Sequence, residues 1–211
     1  MIEQLGSVND ASIKQAGSLH HSSIEQEGDG SFADVKQIGS DHSADIRQNG
    51  SHQVHIEQQG SMNNATVVQQ TGDHFTDIFQ DGSGHQINIT QVGSGQGIVF
   101  DPPGWGNPDM PAFSNIYSDG GSVALLHQDG ADHEINLSQD GSHYAEVKQL
   151  GEGNQAEINQ YFEDAGADYG SYVRIIQDGM DNMVHVYQYG AGHTATVEQF
   201  GAGNEATIIQ N

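Results

Sequence analysis

Glutamine returns along this chain at Gln4, Gln15, Gln26, Gln37, Gln48, Gln58, Gln70, Gln80, Gln91, Gln128, Gln139, Gln149, Gln160, Gln177, Gln188, Gln199 and Gln210, nearly always after about eleven residues. A period this regular limits the fold more than composition does. It means one structural unit stacked on copies of itself, each burying a face that it could not bury alone.

The columns around each glutamine define the unit. Two positions earlier stands a branched aliphatic residue, from Ile2 through Val68 to Ile208. Four earlier the residue is usually small or aliphatic, as at Ala11, Ala33, Ala44 and Ala206; six earlier it is His, Asn or Ser, as at Asn9, His20, Ser31 and Asn64. Glycine usually follows two positions after the glutamine, as at Gly17 and Gly39. The unit alternates with period two and ends in a turn residue, so it reads as a β-strand with one face in and one out. Charges fall between the columns, at Asp10, Lys14, Asp45, Arg47, Glu146 and Lys148, and mark the solvated face.

The inward set then includes a glutamine per strand. A buried, unpaired amide costs about 1 to 3 kcal/mol, so these side chains must partner one another. Stacked strands about 4.8 Å apart allow each carboxamide to donate to one neighbour and accept from the other, as an amide ladder.

The expected fold is therefore all-β, a two-sided β-solenoid of about nine rungs of roughly 22 residues, two strands per rung. The count includes a degenerate unit over residues 114–120, with Ile116 in the aliphatic column and Ser118 in the glutamine column. Residues 1–93 and 112–211 carry repeats of one continuous domain, and 94–111 is an insertion between them. That insertion holds all four prolines and Trp105, and proline cannot donate to a ladder. Phe100, Trp105 and Phe113 are its candidates for a contact with a neighbouring subunit. A second, smaller insertion spans residues 161–167.

Composition narrows the function. Apolar residues make up 34% and the net charge is −24, which alone would suit a disordered chain. The kept register of the columns argues otherwise. Recurrent glycine and the lack of a 3.6-residue apolar stripe disfavour helix. Five basic residues against 29 acidic ones oppose nucleic-acid binding and attraction to acidic membranes. No apolar stretch reaches the roughly 18 residues of a membrane span, and Met1 leads into repeat sequence without the apolar core of a signal peptide. There is no cysteine, hence no disulfide.

Eight of the twelve histidines lie in the His/Asn/Ser column. His20 with His42, and His52 with His74, are expected as vertical neighbours, where imidazoles serve as ladder donors, a pH switch or transition-metal ligands. Turn acids such as Asp29, Asp41, Asp73, Asp129, Asp132, Asp178 and Asp181 form a solvated, repulsive face, with weak calcium binding as the alternative. The histidines, aspartates and serines occur as columns of copies and not as one unique cluster, so no catalytic residues and no resident cofactor are expected.

Two stretches read as matches to a known repeat: Gln149-Leu150-Gly151-Glu152-Gly153-Asn154-Gln155-Ala156-Glu157-Ile158-Asn159-Gln160, and the segment from Gln199 through Gly201, Gly203, Asn204 and Ala206 to Gln210. The chain resembles the curlin-repeat family, the subunits of functional amyloid on bacterial surfaces. The resemblance implies a secreted, self-assembling fibre subunit of a biofilm matrix or adhesive surface, served by secretion and nucleation factors of a curli-like system. Independently, the first and last units offer unfinished columns at Ile2, Gln4, Asn9, Ile13, Ile208 and Gln210, and stacking one end on the other is heterologous and propagates. The expected partner is thus another copy of the chain, in a head-to-tail filament. The alternative is a monomeric secreted solenoid acting as an adhesin, metal-binding or ice-binding module, the last needing an outward threonine array of which Thr194, Thr196 and Thr207 are the nearest approach.

Overall fold

The computed structural model describes residues 1–93, 98–100, 116–118, 121–161 and 170–211. Among them there is no helix, and the strands form a solenoid of two facing parallel sheets. The first sheet stacks nine strands in the order β1 (Ile2–Leu5), β3 (His21–Glu27), β5 (Ser43–Asn49), β7 (Asn64–Gln70), β9 (Gln86–Val92), β13 (Glu134–Asp140), β15 (Gln155–Tyr161), β17 (Met183–Tyr189) and β19 (Glu205–Gln210). The second stacks eight: β2 (Asp10–Ser18), β4 (Phe32–Ser40), β6 (Gln53–Ser61), β8 (Phe75–Ser83), β12 (Val123–Ala131), β14 (Tyr144–Glu152), β16 (Tyr172–Met180) and β18 (Thr194–Ala202). A separate antiparallel pair joins β10 (Ile98–Phe100) to β11 (Ile116–Ser118).

Like residues pair with like across the strands. In β2 and β4, for example, Ala11, Ile13, Gln15 and Gly17 lie beside Ala33, Val35, Gln37 and Gly39. The alternation of burial follows: in β5, Ala44, Ile46 and Gln48 are inside while the residues between them face outward. One alanine–aliphatic core runs the length of the stack, from Ile13 to Ile208. The strands turn at glycine because the rungs leave no room for a side chain there. At Gly39, φ is 129°, and an added Cβ would lie 1.9 Å from the carbonyl oxygen of Gly60.

Two expectations need correction. The described stack holds seventeen rung strands, eight and a half of the roughly nine expected rungs, and the degenerate half-rung is not among them. The segment around Ile116 and Ser118 belongs to the antiparallel pair and supplies no half-rung, because β9 pairs directly with β13 and β8 with β12. The strands that flank the insertion, β9 and β12, lie in the first and second sheet, as do β15 and β16 on either side of the smaller insertion.

The second correction is a one-residue slip. Val67 and Gln69 point inward, and Gln69 joins the ladder in place of Gln70. Val68 and Gln70 face outward, and Asn63 is buried where Asn64 was expected. The extra residue is absorbed at Thr71, which turns with φ 55° before Gly72. Of the insertion residues singled out above, Phe100 lies in β10, and Trp105 and Phe113 fall outside the described residues.

Candidate functional site

The glutamine ladders are continuous and have a direction. In the first sheet Gln4, Gln26, Gln48, Gln69, Gln91, Gln139, Gln160, Gln188 and Gln210 are linked by Nε2–H to Oε1 bonds of 2.7 to 3.0 Å. In the second, Gln15, Gln37, Gln58, Gln80, Gln128, Gln149, Gln177 and Gln199 are linked at 2.8 to 3.0 Å. Every bond runs from the N-terminal rung to the next. At most positions its sense is fixed by the second amide proton, which goes to a backbone carbonyl, as where Gln26 donates to Asp10 O at 3.1 Å and Gln58 to Ser43 O at 3.0 Å; Gln15 and Gln69 donate it instead to the hydroxyls of Ser22 and Thr76. A flipped amide would aim its oxygen at that carbonyl.

The His/Asn/Ser columns make a second kind of ladder. His74 Nδ1 accepts from Ser122 N at 2.9 Å and His133 Nδ1 from Asn154 N at 3.1 Å. The opposite nitrogens face backbone carbonyls: His74 Nε2 lies 3.2 Å from Gln70 O and His133 Nε2 3.1 Å from Asp129 O. A donor at one nitrogen and an acceptor at the other select the neutral Nε2–H tautomer. Asparagine does the same work, for Asn63 Oδ1 accepts from His85 N and its Nδ2 donates to Gln59 O. Burial pushes the imidazoles of His42, His52, His85 and His143 below the ordinary histidine range, and His74 and His133 down to about 4.

A family model described as the curlin associated repeat matches residues 1–28, 23–50 and 172–211. Over those residues, at the two ends of the described stack, the chain is similar to curlin repeats. No curated protein matches it.

The stacking expected from the column spacing is present at both histidine pairs. His20 and His42 have ring centroids 5.2 Å apart, and His52 and His74 5.1 Å. A third pair, His85 with His133 at 5.1 Å, was hidden from sequence reasoning by the extra half-rung. Stacked rings direct their nitrogens outward along parallel planes, and those of His42, His52 and His74 are already engaged with backbone. His20 Nδ1 alone of these lacks a partner, and among the described residues no group of three or more potential ligands could hold a metal. Zinc at low stoichiometry should therefore leave the melting temperature unchanged; a rise would restore the metal reading.

Acidic turn residues are kept apart by the register of the stack. One turn column reads Leu19, Asp41, Met62, Gly84, Asp132, Gly153, Asp181 and Gly203 from rung to rung, so no two of its acids are neighbours. Asp132 and Asp181 lean over Gly84 and Gly153, where a Cβ would come within 2.4 Å of the carboxylate. Asp129 does stand over Asp81 on the outer face. Outward charges pair across strands where a base is present, as Lys36 with Glu57 at 2.7 Å and Arg174 with Glu198 at 3.3 Å. His55 sits between Asp77 at 2.9 Å and Asp34 at 3.9 Å. Column identity gives such pairs away, yet only after the register is known. The threonine array is divided, with Thr194 and Thr196 on β18 of one sheet and Thr207 on β19 of the other.

At the ends, Ile2 is 45% exposed, Gln4 is exposed, and Asn9, Ile13, Ile208 and Gln210 are half-buried. These are column positions identical to buried ones in the interior of the stack.

Proposed function

We propose that the chain is a structural subunit of an amyloid-like fibre outside the cell, built by head-to-tail stacking of solenoid ends and serving a biofilm matrix or surface adhesion. The curlin repeats support the class, and one observation supports the assembly: the amide ladders end as complementary surfaces. Gln199 and Gln210 each give one amide proton to a backbone carbonyl, of Met183 and Thr194, and have a second to donate. At the other end Gln4 and Gln15 donate to Gln26 and Gln37, and among the described residues their own Oε1 atoms accept from no glutamine. Two copies of one end would set donor against donor, whereas opposite ends continue the ladder. The role is mechanical: in the inner columns the imidazoles of His42, His52, His74 and His133 spend both nitrogens on backbone.

Purified chain left at neutral pH should give filaments with a meridional reflection near 4.8 Å and an equatorial one near 10 Å. Persistent monomers by sedimentation would overturn the proposal and favour a solitary binding module.

A further inference from the structure

We infer that successive copies in such a fibre are related by a half-turn about its axis; the inference rests on the fibre reading above. With seventeen rung strands, the solenoid over residues 1–211 begins and ends in the same sheet, at β1 and β19. If the next copy were simply translated, β1 would follow β19, but in the second sheet β18 and β2 would lie two strand spacings apart. An empty slot of about 4.8 Å would remain at every junction, with two unpaired strand edges facing it. A half-turn removes the slot. It sets β1 of the next copy on β18 and β2 on β19.

The residues match in that arrangement. The turn from Gln4 to Asn9 and the turn from Gln199 to Asn204 have the same length, and their backbones agree: φ is 115° at Gly6 and 97° at Gly201, 61° at Val8 and 67° at Gly203. Ile2 falls on Val197, Ala11 on Ala206 and Ile13 on Ile208. Gln199 and Gln210 donate to Gln4 and Gln15. Asn204 Oδ1 meets the backbone N–H of Asn9, repeating the bond from Asn204 N to Asn182 Oδ1 at 3.1 Å. Leu5 and Phe200, 66% and 64% exposed, come side by side and cover each other. Glu3 faces Glu198 and Asp10 faces Glu205, so the junction carries like charges, and fibre growth should accelerate with added salt.

The chain has no cysteine, which makes crosslinking unambiguous. In the half-turn junction, Cα atoms at positions 5 and 200 of adjacent copies lie about 4.8 Å apart, within the span of a disulfide. A translated junction instead pairs position 3 with position 209. Oxidised fibres of the Leu5→Cys/Phe200→Cys variant should run as a covalent ladder of multimers on a denaturing, non-reducing gel. Fibres of the Glu3→Cys/Ile209→Cys variant should run as monomer. The reverse result, or no crosslink in either, overturns the half-turn and leaves the fibre reading standing. Absence of fibres from the unsubstituted chain removes both. Should a variant fail to assemble, helical reconstruction of the unsubstituted fibre decides: a half-turn gives a rise of about 41 Å per copy and a true repeat of seventeen strand spacings, about 82 Å, whereas translation gives a repeat of about 43 Å.

Discussion

Leucine at Gln69 will destabilise the solenoid by about 2 to 5 kcal/mol, while leucine at Gln70 will change its stability by no more than about 0.5 kcal/mol. The two residues are neighbours of identical chemistry and differ only in the face they occupy. Gln69 is fully buried; its Oε1 accepts from Gln48 at 3.0 Å, and its Nε2 donates to Gln91 at 2.8 Å and to Thr76 Oγ1 at 3.2 Å. Leucine would fill the volume but strand a buried amide proton of Gln48, at about 1 to 3 kcal/mol, and leave Gln91 Oε1 with the Thr76 hydroxyl as its one remaining side-chain donor. The side chain of Gln70 is exposed, and what Gln70 gives to the fold is its carbonyl, which His74 Nε2 faces and any substituent retains. Urea unfolding of freshly refolded monomer measures both. Equal losses at the two positions would mean that the register is wrong.

That pair also shows where the sequence was legible. Alternation, glycine turns and the glutamine column lead to a two-sided solenoid with the charged set outside, and the sheets have that arrangement. Between Asn63 and Gly72 two frames compete. One frame places Asn63, Ala65, Val67 and Gln69 inside; the other places Asn64, Val68 and Gln70 inside and spaces Gly72 like the other turn glycines. In the folded chain the frame with alanine in the small column prevails, since Ala65 fits where Ala44 stacks beside it, and Thr71 takes up the surplus residue. A slip of one residue reverses every side chain in a strand, so packing along the whole strand outweighs one turn glycine. The parity of the half-rungs was less accessible. It turns on whether Ile116 and Ser118 form a rung, and no local pattern separates a degenerate strand from a short hairpin in an insertion. The consequence reached the site, because parity decides that His133 stacks on His85 and that β1 and β19 share a sheet.

Acid should unfold the chain through its imidazoles, and the sign follows from their burial. His42, His52, His74, His85, His133 and His143 are held below the usual value of 6.5, foremost by burial; repulsion from His52 adds to this at His74, and from His85 at His133. The folded chain therefore resists protons that the unfolded chain accepts. Stability is at its plateau above about 6.5 and falls as the pH drops toward 4, by up to about 1.4 kcal/mol per pH unit for each histidine. His74 and His133, lowered to about 4, would each forfeit on the order of 3 kcal/mol across that window. His55 opposes them: its bond to Asp77 raises its pKa, so its contribution is present in acid and lost as the pH rises. One such residue does not balance seven lowered ones, the six of the inner columns and His127. Asp29, which the hydrogen bonds from Ser7 lower, begins to release its contribution only near the ordinary value of 3.8, below the imidazole window, and Glu57 and Glu157, also lowered, begin near 4.5, at its acid end. The decisive comparison is the His74→Asn/His133→Asn variant, because asparagine already makes the same backbone bonds at Asn63. Its melting temperature at pH 7.5 should stay close to that of the parent, and its decline between pH 6.5 and 4.5 should be visibly shallower. Parallel declines would exclude these two imidazoles as the acid-sensitive element of the solenoid.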